Sequence, residues 1–158
     1  MDGELSLHLY DTIKFLHILM AIVWVGGGIM IQIFAVRAMK AGPEHTQHLA
    51  ETVHWTGNRV FIPASGILLL LGLWMAFGWM DWVWPAWIWI GIGGFAATFV
   101  TGSFFLGPAT GRLDKLLKER GPADPESIAT VKRILAISRI DMAVLIIVVW
   151  DMAYKPFS

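Results

Sequence analysis

The chain has 158 residues, of which 56% are hydrophobic and only 15% are charged, and its formal net charge is zero. Soluble domains carry about 25% charged residues, so the composition argues against an ordinary soluble domain. The absence of cysteine excludes disulfides, iron–sulfur ligation and covalent c-type haem attachment. No basic patch is present that would indicate binding to nucleic acid.

Three long apolar runs predict membrane-spanning helices. Residues 15–36 contain only two strongly polar side chains, and residues 60–80 and 86–106 contain no internal charge. Each run is long enough, because about 20 apolar residues cross the hydrocarbon core of a bilayer. The predicted spans cover about 12–38, 60–80 and 86–107.

A fourth span is predicted over about 134–154, although this segment is less apolar than the others. It takes in Arg139, Asp141 and Asp151. A half-buried amphipathic helix is the alternative. We favour a span, because a charge within a membrane normally faces a partner or a cavity, and a bundle of only three helices would leave these charges with fewer partners.

The connecting segments contain helical patterns of their own. Residues 44–59 place Leu49 and Val53 at helical spacing and predict an amphipathic helix on the cytoplasmic surface. The Pro125–Glu126 pair is typical of a helix N-terminus. The whole chain, 1–158, is predicted to form a single all-α domain, a four-helix bundle in the membrane.

The distribution of lysine and arginine predicts the orientation of the bundle. Ten of the twelve basic residues lie in the connections between helices 1 and 2 and between helices 3 and 4. By the positive-inside rule, both connections are cytoplasmic and both termini lie on the outer, periplasmic or extracellular side. The expected location is the bacterial cytoplasmic (inner) membrane, with several passes through the lipid bilayer.

Small residues mark places where helices can approach closely. The predicted third helix carries two such stripes, and the first carries Gly26, Gly27 and Gly28. We interpret these glycines as helix contacts; room for a flat ligand is the alternative. The stripes of the third helix are Gly94, Thr98 and Gly102, and Gly93, Ala97 and Thr101.

His17 is the residue that most needs explanation, because it lies near the outer end of an apolar run. Four interpretations remain open. It could bond to Asp151 or to a backbone carbonyl and hold helices 1 and 4 together, or relay protons with Asp151. It could be an axial ligand of haem b, with Trp24 and Gly28 on the same helix face and Asp151 orienting the imidazole. It could also bind copper, because soft thioethers suit Cu(I); the other copper ligands would be Met20, Met80 and Met152.

A second polar group is predicted near the inner boundary. Arg59–Asp141 is the expected ion pair. The members of the group are Gln32, Arg37, Asn58, Arg59, Arg139 and Asp141. Its structural interpretation is neutralisation of a charge at the membrane boundary; a transport or proton path is the alternative.

Four stretches carry a family resemblance: KFLHILMAIVWVGGG, NRVFIPASGILLLLGLW, FLGP and SRIDMAVLIIVVWDMAYKP. Together they resemble a bacterial group of four-helix predicted integral membrane proteins of unknown function. The first stretch is also similar to the opening helix of J-type protoporphyrinogen oxidases and copper-resistance D-type membrane proteins, through His17, Trp24, Gly26 and Gly27. The lysine that the oxidases carry in a later helix is absent from the predicted third helix, which argues against porphyrinogen oxidation.

Two functions therefore remain open. The first is a haem- or metal-binding redox protein centred on His17, a role that the resemblance of the first helix implies. The second is an accessory subunit that packs beside other membrane protein subunits or as a homo-oligomer.

Overall fold

Helices make up almost all of the computed structural model, which describes residues 2–79 and 85–156. The described residues form four long helical stretches, here called helices 1 to 4, and the first three each contain a π-helical turn. Helix 1 consists of α1 (Asp2–Ala21), a π turn (Ile22–Gly26) and α2 (Gly27–Ala41). Helix 2 consists of α3 (Pro43–Thr56), a π turn (Gly57–Phe61) and α4 (Ile62–Trp79), and helix 3 of α5 (Ala86–Val100), a π turn (Thr101–Leu106) and α6 (Gly107–Arg120). Helix 4 is α7 (Pro125–Tyr154).

The four helices pack antiparallel in chain order. Helix 1 pairs with helix 2, since α1 contacts α4 and α2 contacts α3, and helix 3 pairs with helix 4 through both of its halves. The pairs join through α3 with α6 and α2 with α7. One end of the bundle therefore holds both chain termini, the terminal end, and the other holds most of the lysine and arginine, the basic end.

Two glycines reverse the chain at the basic end. Gly42 and Gly121 have φ values of 126° and 82°, which side chains other than glycine rarely adopt. After Gly121, Asp124 caps helix 4, because its carboxylate accepts bonds from the main-chain nitrogens of Glu126 and Ser127. Pro125 follows at the first helical position, so the predicted helix start at Pro125–Glu126 is confirmed.

Three of the helices are long and apolar enough to cross a membrane: Glu4–Ala41, Glu44–Gly78 and Ala86–Arg120. Helix 4 is not among them in the described part of the chain, because its apolar stretch also carries Arg139, Asp141 and Asp151. The three predicted apolar spans are confirmed as membrane-capable helices. The fourth span stays a prediction, as does the orientation of the termini.

The helices differ from the predicted spans in length. The helix predicted over residues 44–59 is present as α3, but it is not separate from helix 2, because it continues through its π turn directly into α4. Helix 3 likewise extends to Arg120 and helix 4 begins at Pro125. These extensions are stabilised by their own apolar cluster, in which Ala50, Leu113 and Leu117 pack together against half-buried neighbours. Hydropathy alone ends a helix where the apolar run ends, and it misses a helix that packs on another helix beyond that point.

Candidate functional site: a cavity between the four helices

A partly open cavity of about 470 Å³ lies between the four helices, from the middle of the bundle towards the basic end. Helix 4 contributes one stripe of side chains to its wall, at spacings of three and four residues, as expected for one face of a helix. That stripe comprises Val131, Ile134, Leu135, Ser138, Asp141, Met142 and Leu145. The wall is mainly apolar with a few polar groups, and the volume falls within the range of sites for small molecules.

All three π-helical turns contribute to the cavity wall. Trp24 belongs to the first turn, Gly57 to the second and Gly102 to the third. No heavy atom lies within 4 Å of a Cβ built at Gly57 or Gly102, so both glycines border open space. A π turn widens a helix locally and is often found at functional sites. The π turns of helices 1, 2 and 3 therefore all border the same cavity.

One polar contact crosses the cavity wall between helices 1 and 4. The Nε2 atom of Gln32 donates a short hydrogen bond to the hydroxyl oxygen of Ser138. The Oε1 atom of Gln32 is buried and has no hydrogen-bond partner among the described residues. Asp141, three residues after Ser138, faces the same cavity. The wall thus presents two hydrogen-bond acceptors to the cavity at neighbouring levels.

The expected ion pair between Arg59 and Asp141 is not formed. Arg59 is exposed, and its guanidinium carbon lies 5.9 Å from the centroid of the Trp55 ring. Arg139 is also exposed, and no ion pair among the described residues includes Asp141. The predicted pair was chosen because the two residues lie at a similar depth in the membrane. Successive side chains of a helix point in different directions, so a similar depth does not bring two side chains together.

His17 lies outside the cavity, towards the terminal end. Its Nδ1 atom is 3.0 Å from the main-chain carbonyl oxygen of Leu68 in helix 2, and because a carbonyl oxygen can only accept, Nδ1 carries the proton. Gly72, one turn further along helix 2, leaves the space for the imidazole, since a Cβ there would lie 3.0 Å from the ring. The backbone-carbonyl interpretation of His17 is therefore correct in kind, but the partner belongs to helix 2 and not to helix 4.

Asp151, the other expected partner of His17, is 1% exposed. Neither of its carboxylate oxygens has a hydrogen-bond partner among the described residues. The register of the helices does place it near His17 in depth. Gly28 packs on Met142, and from that contact His17 lies about 16 Å and Asp151 about 14 Å along the helix axes towards the terminal end. Similar depth does not produce a bond between them.

Trp24 and Gly28 each line the cavity and also pack against a neighbouring side chain. A Cβ at Gly28 would lie 2.4 Å from the terminal methyl carbon of Met142, and the Trp24 ring packs edge-on against Phe95, with centroids 5.3 Å apart. Gly27 packs in the same way on Phe61. Two of the three glycines therefore mark close helix contacts; Gly26 has no heavy atom within 4 Å.

Among the described residues, the proposed copper ligands contact different helices. The terminal methyl of Met152 lies against Gly91 of helix 3, whereas His17 bonds to helix 2. Met20 is half-buried on helix 1, and Met80 lies outside the described residues. The described residues contain no group of three or more His, Cys, Asp or Glu side chains that could hold a metal ion. The haem and copper roles of these residues stay predictions.

The two small-residue stripes of helix 3 behave differently. Gly94 packs on Val148 of helix 4 and Thr98 is buried, so this part of the first stripe forms a helix contact, whereas Gly102 borders the cavity. Gly93 and Ala97 are exposed, and a Cβ at Gly93 would meet no heavy atom within 4 Å. This second stripe is where the accessory-subunit prediction would place a partner helix.

The cavity was not predicted from the sequence, although its polar groups were visible there. Gln32 and Ser138 are polar residues within otherwise apolar stretches, and such residues normally face the interior of a bundle. That signal could have paired helix 1 with helix 4. The residue pattern contains no feature that predicts the π turns or the size of the space between the helices.

The chain was also compared with known proteins. The profile of one family, described as predicted integral membrane protein (DUF2269), matches residues 11–156. No curated protein and no solved structure matches the chain.

Proposed function

The chain belongs to this family of predicted integral membrane proteins, and on that basis we propose that it is a membrane-embedded binding protein that holds a small, largely apolar molecule between its four helices. The observation that carries the proposal is the cavity of about 470 Å³ with its mainly apolar wall. Sites for small molecules are concave, mostly apolar clefts of about 300 to 1,000 Å³ with a few polar groups. A partly open apolar space of this size between the helices of a small bundle fits that description.

The glycines of helix 3 allow a matched test of this function. Gly102 lines the cavity and Gly93 is exposed, and a Cβ at either position meets no heavy atom within 4 Å. Gly102→Leu should fill part of the cavity, whereas Gly93→Leu adds the same side chain on the outer surface. The wild-type protein and both variants would be purified in nanodiscs of phosphatidylcholine, and their bound small molecules would be identified by mass spectrometry.

We expect a bound molecule in the wild type and in Gly93→Leu, and a large loss of that molecule in Gly102→Leu. A photoreactive apolar probe should label cavity-lining peptides in the same two proteins and be displaced by excess unlabelled probe. Equal labelling of all three proteins, or labelling that excess probe does not displace, would contradict the proposal.

Binding of haem b at His17, with copper as the alternative metal, is the second candidate. One observation favours it: the bond from Nδ1 to Leu68 leaves Nε2 without a partner among the described residues. A metal-binding histidine commonly donates its other ring N–H to a carbonyl or carboxylate, which sets the tautomer. The resemblance of the first helix to the oxidase and copper-resistance groups supports the same residue. Bound haem would supply one-electron redox chemistry at the terminal end.

The test of this candidate is an absorption spectrum, oxidised and reduced, of protein expressed with ample haem and copper, together with metal analysis. His17→Ala should abolish a b-type Soret band. His54→Ala should not, because His54 lies beside Gly111 towards the basic end. Asp151→Asn should shift the potential or weaken binding without removing the band. Wild-type protein that carries neither haem nor copper would rule this candidate out.

A further inference from the structure

The polar side of the cavity, formed by Gln32, Ser138 and Asp141, identifies the kind of molecule that would fit. Asp141 lines the cavity wall next to Met142, and Met142 packs on Gly28 of helix 1. Gly28 lies eight positions before Val36, where the apolar run of helix 1 ends, which is about 12 Å along a helix axis. If helix 4 spans the membrane as predicted, the carboxylate lies well inside the apolar layer.

No positive charge of the protein neutralises this carboxylate in the part of the chain that the structure describes. Arg139 is the nearest arginine in sequence, but two residues along a helix turn its side chain by about 200° to the opposite face. Arg59 is exposed over Trp55. The ion pairs near the basic end join Arg112 and Arg120 to Glu126, and Lys118 to Glu51 and Asp114, and none of them includes Asp141. An intramembrane carboxylate normally faces a partner, and a positively charged ligand in the cavity would supply one for Asp141.

A second acceptor belongs to the same cavity wall. Gln32 uses its Nε2 atom on Ser138, one helical turn from Asp141, and its buried Oε1 atom has no partner among the described residues. A buried acceptor without a partner costs free energy, which a ligand that donates a hydrogen bond would recover. The site therefore favours a group that is both positively charged and a hydrogen-bond donor, attached to an apolar body.

Resting on the proposed function of the cavity, we propose that its ligand is a lipophilic amine, whose ammonium group binds between Asp141 and Gln32 and whose apolar part fills the remaining space. An ammonium group supplies three N–H donors and one positive charge. It can bond to the carboxylate and to the amide oxygen together, and such charge-assisted bonds are about twice as strong as neutral ones. An anionic amphiphile would face the unpaired carboxylate and be repelled. A neutral alcohol would bond to either acceptor but would leave the charge unpaired.

Three photoreactive probes with the same twelve-carbon chain separate these cases: a primary amine, an alcohol and a carboxylic acid. Each would be titrated into the wild-type protein in phosphatidylcholine nanodiscs, which carry no net charge, and labelled peptides would be mapped. We expect saturable labelling of the cavity wall that is strongest for the amine, weaker for the alcohol and weakest for the acid. Excess unlabelled dodecylamine should prevent it.

Variants test the role of each acceptor. Asp141→Asn should weaken binding of the amine by about tenfold, the scale of one charge-assisted hydrogen bond, and change binding of the alcohol much less. Gln32→Met should weaken both the amine and the alcohol, because it removes the neutral acceptor. Asp114→Asn is the matched control: Asp114 is a half-buried carboxylate of α6 that pairs with Lys118 at 2.9 Å and does not line the cavity. It should leave binding of all three probes unchanged.

The two proposals fail in different ways. If the three probes label the cavity equally and saturably, or if the acid binds most tightly, the cavity binds apolar chains but the amine assignment is wrong. If no probe labels the cavity saturably while Gly102→Leu and wild type behave alike, the proposed function itself fails. The ranking of the three probes on the wild type needs no variant, so the test does not depend on the folding of Asp141→Asn.

Discussion

His17 donates a hydrogen bond from Nδ1 to the main-chain carbonyl oxygen of Leu68, 3.0 Å away, and so ties helix 1 to helix 2 near the terminal end. The bond depends on a glycine, because a Cβ at Gly72 would lie 3.0 Å from the Cε1 atom and 3.4 Å from the Nδ1 atom of the same ring. The imidazole of His17 therefore occupies the space that a side chain at Gly72 would need, and a double-mutant cycle can test this coupling.

We expect Gly72→Ala to destabilise the wild-type bundle by about 1 to 2 kcal/mol, as overpacking of a close contact does. In a His17→Ala background the same change should be neutral or stabilising, because alanine is the better helix former and the ring is gone. Unfolding free energies in mild detergent would be compared for the four proteins. An equal effect of Gly72→Ala in both backgrounds would show that the ring and the glycine do not interact.

The neighbouring glycines of helix 3 should respond in opposite ways to the same substitution. A Cβ at Gly94 would lie 2.2 Å from a methyl carbon of Val148, a β-branched residue with little rotamer freedom in a helix. Gly94→Ala should therefore destabilise the packing of helix 3 on helix 4 by about 1 to 3 kcal/mol. Gly93→Ala is the control, and since Gly93 borders open space it should be neutral or slightly stabilising in the same unfolding assay.

The absence of an ion pair between Arg59 and Asp141 also makes a measurable prediction. Because Arg59 lies over Trp55 and Asp141 faces the cavity, the effects of Arg59→Met and Asp141→Asn on stability should add within about 0.5 kcal/mol. Thermal unfolding of both single variants and the double variant would measure this. A coupling of several kcal/mol, as expected for a buried pair that has lost one partner, would mean that the two residues do pair in the membrane.

The positive-inside rule predicts which end of the bundle faces the cytoplasm. The natural chain has no cysteine, so single cysteines can be introduced without background. A membrane-impermeant thiol reagent applied to intact cells should label Glu4→Cys at the terminal end. It should label Lys115→Cys at the basic end only after the membrane is opened. Labelling of Lys115→Cys in intact cells would mean that the orientation is the reverse of the predicted one.

The sequence predicted the features that depend on local composition. Three apolar runs indicated three membrane-capable helices, and Gly94 and Thr98 indicated a helix contact that the structure contains. The sequence also indicated that His17 required a polar partner. Depth alone could not choose that partner, because Leu68, Asp151 and a bound ligand were all compatible with the same level of the membrane.

Hydropathy and segment length are properties of consecutive residues, so the residue pattern was enough to identify an all-helical membrane protein and the segments that can cross a bilayer. The packing of the helices was needed to establish that helix 2 continues through residues 57–61, that His17 bonds to Leu68, and that Gln32 and Asp141 face one cavity. These depend on the rotation of each helix about its axis. A π turn changes that rotation. In a uniformly apolar helix, the residue pattern also does not indicate which face packs on which neighbouring helix.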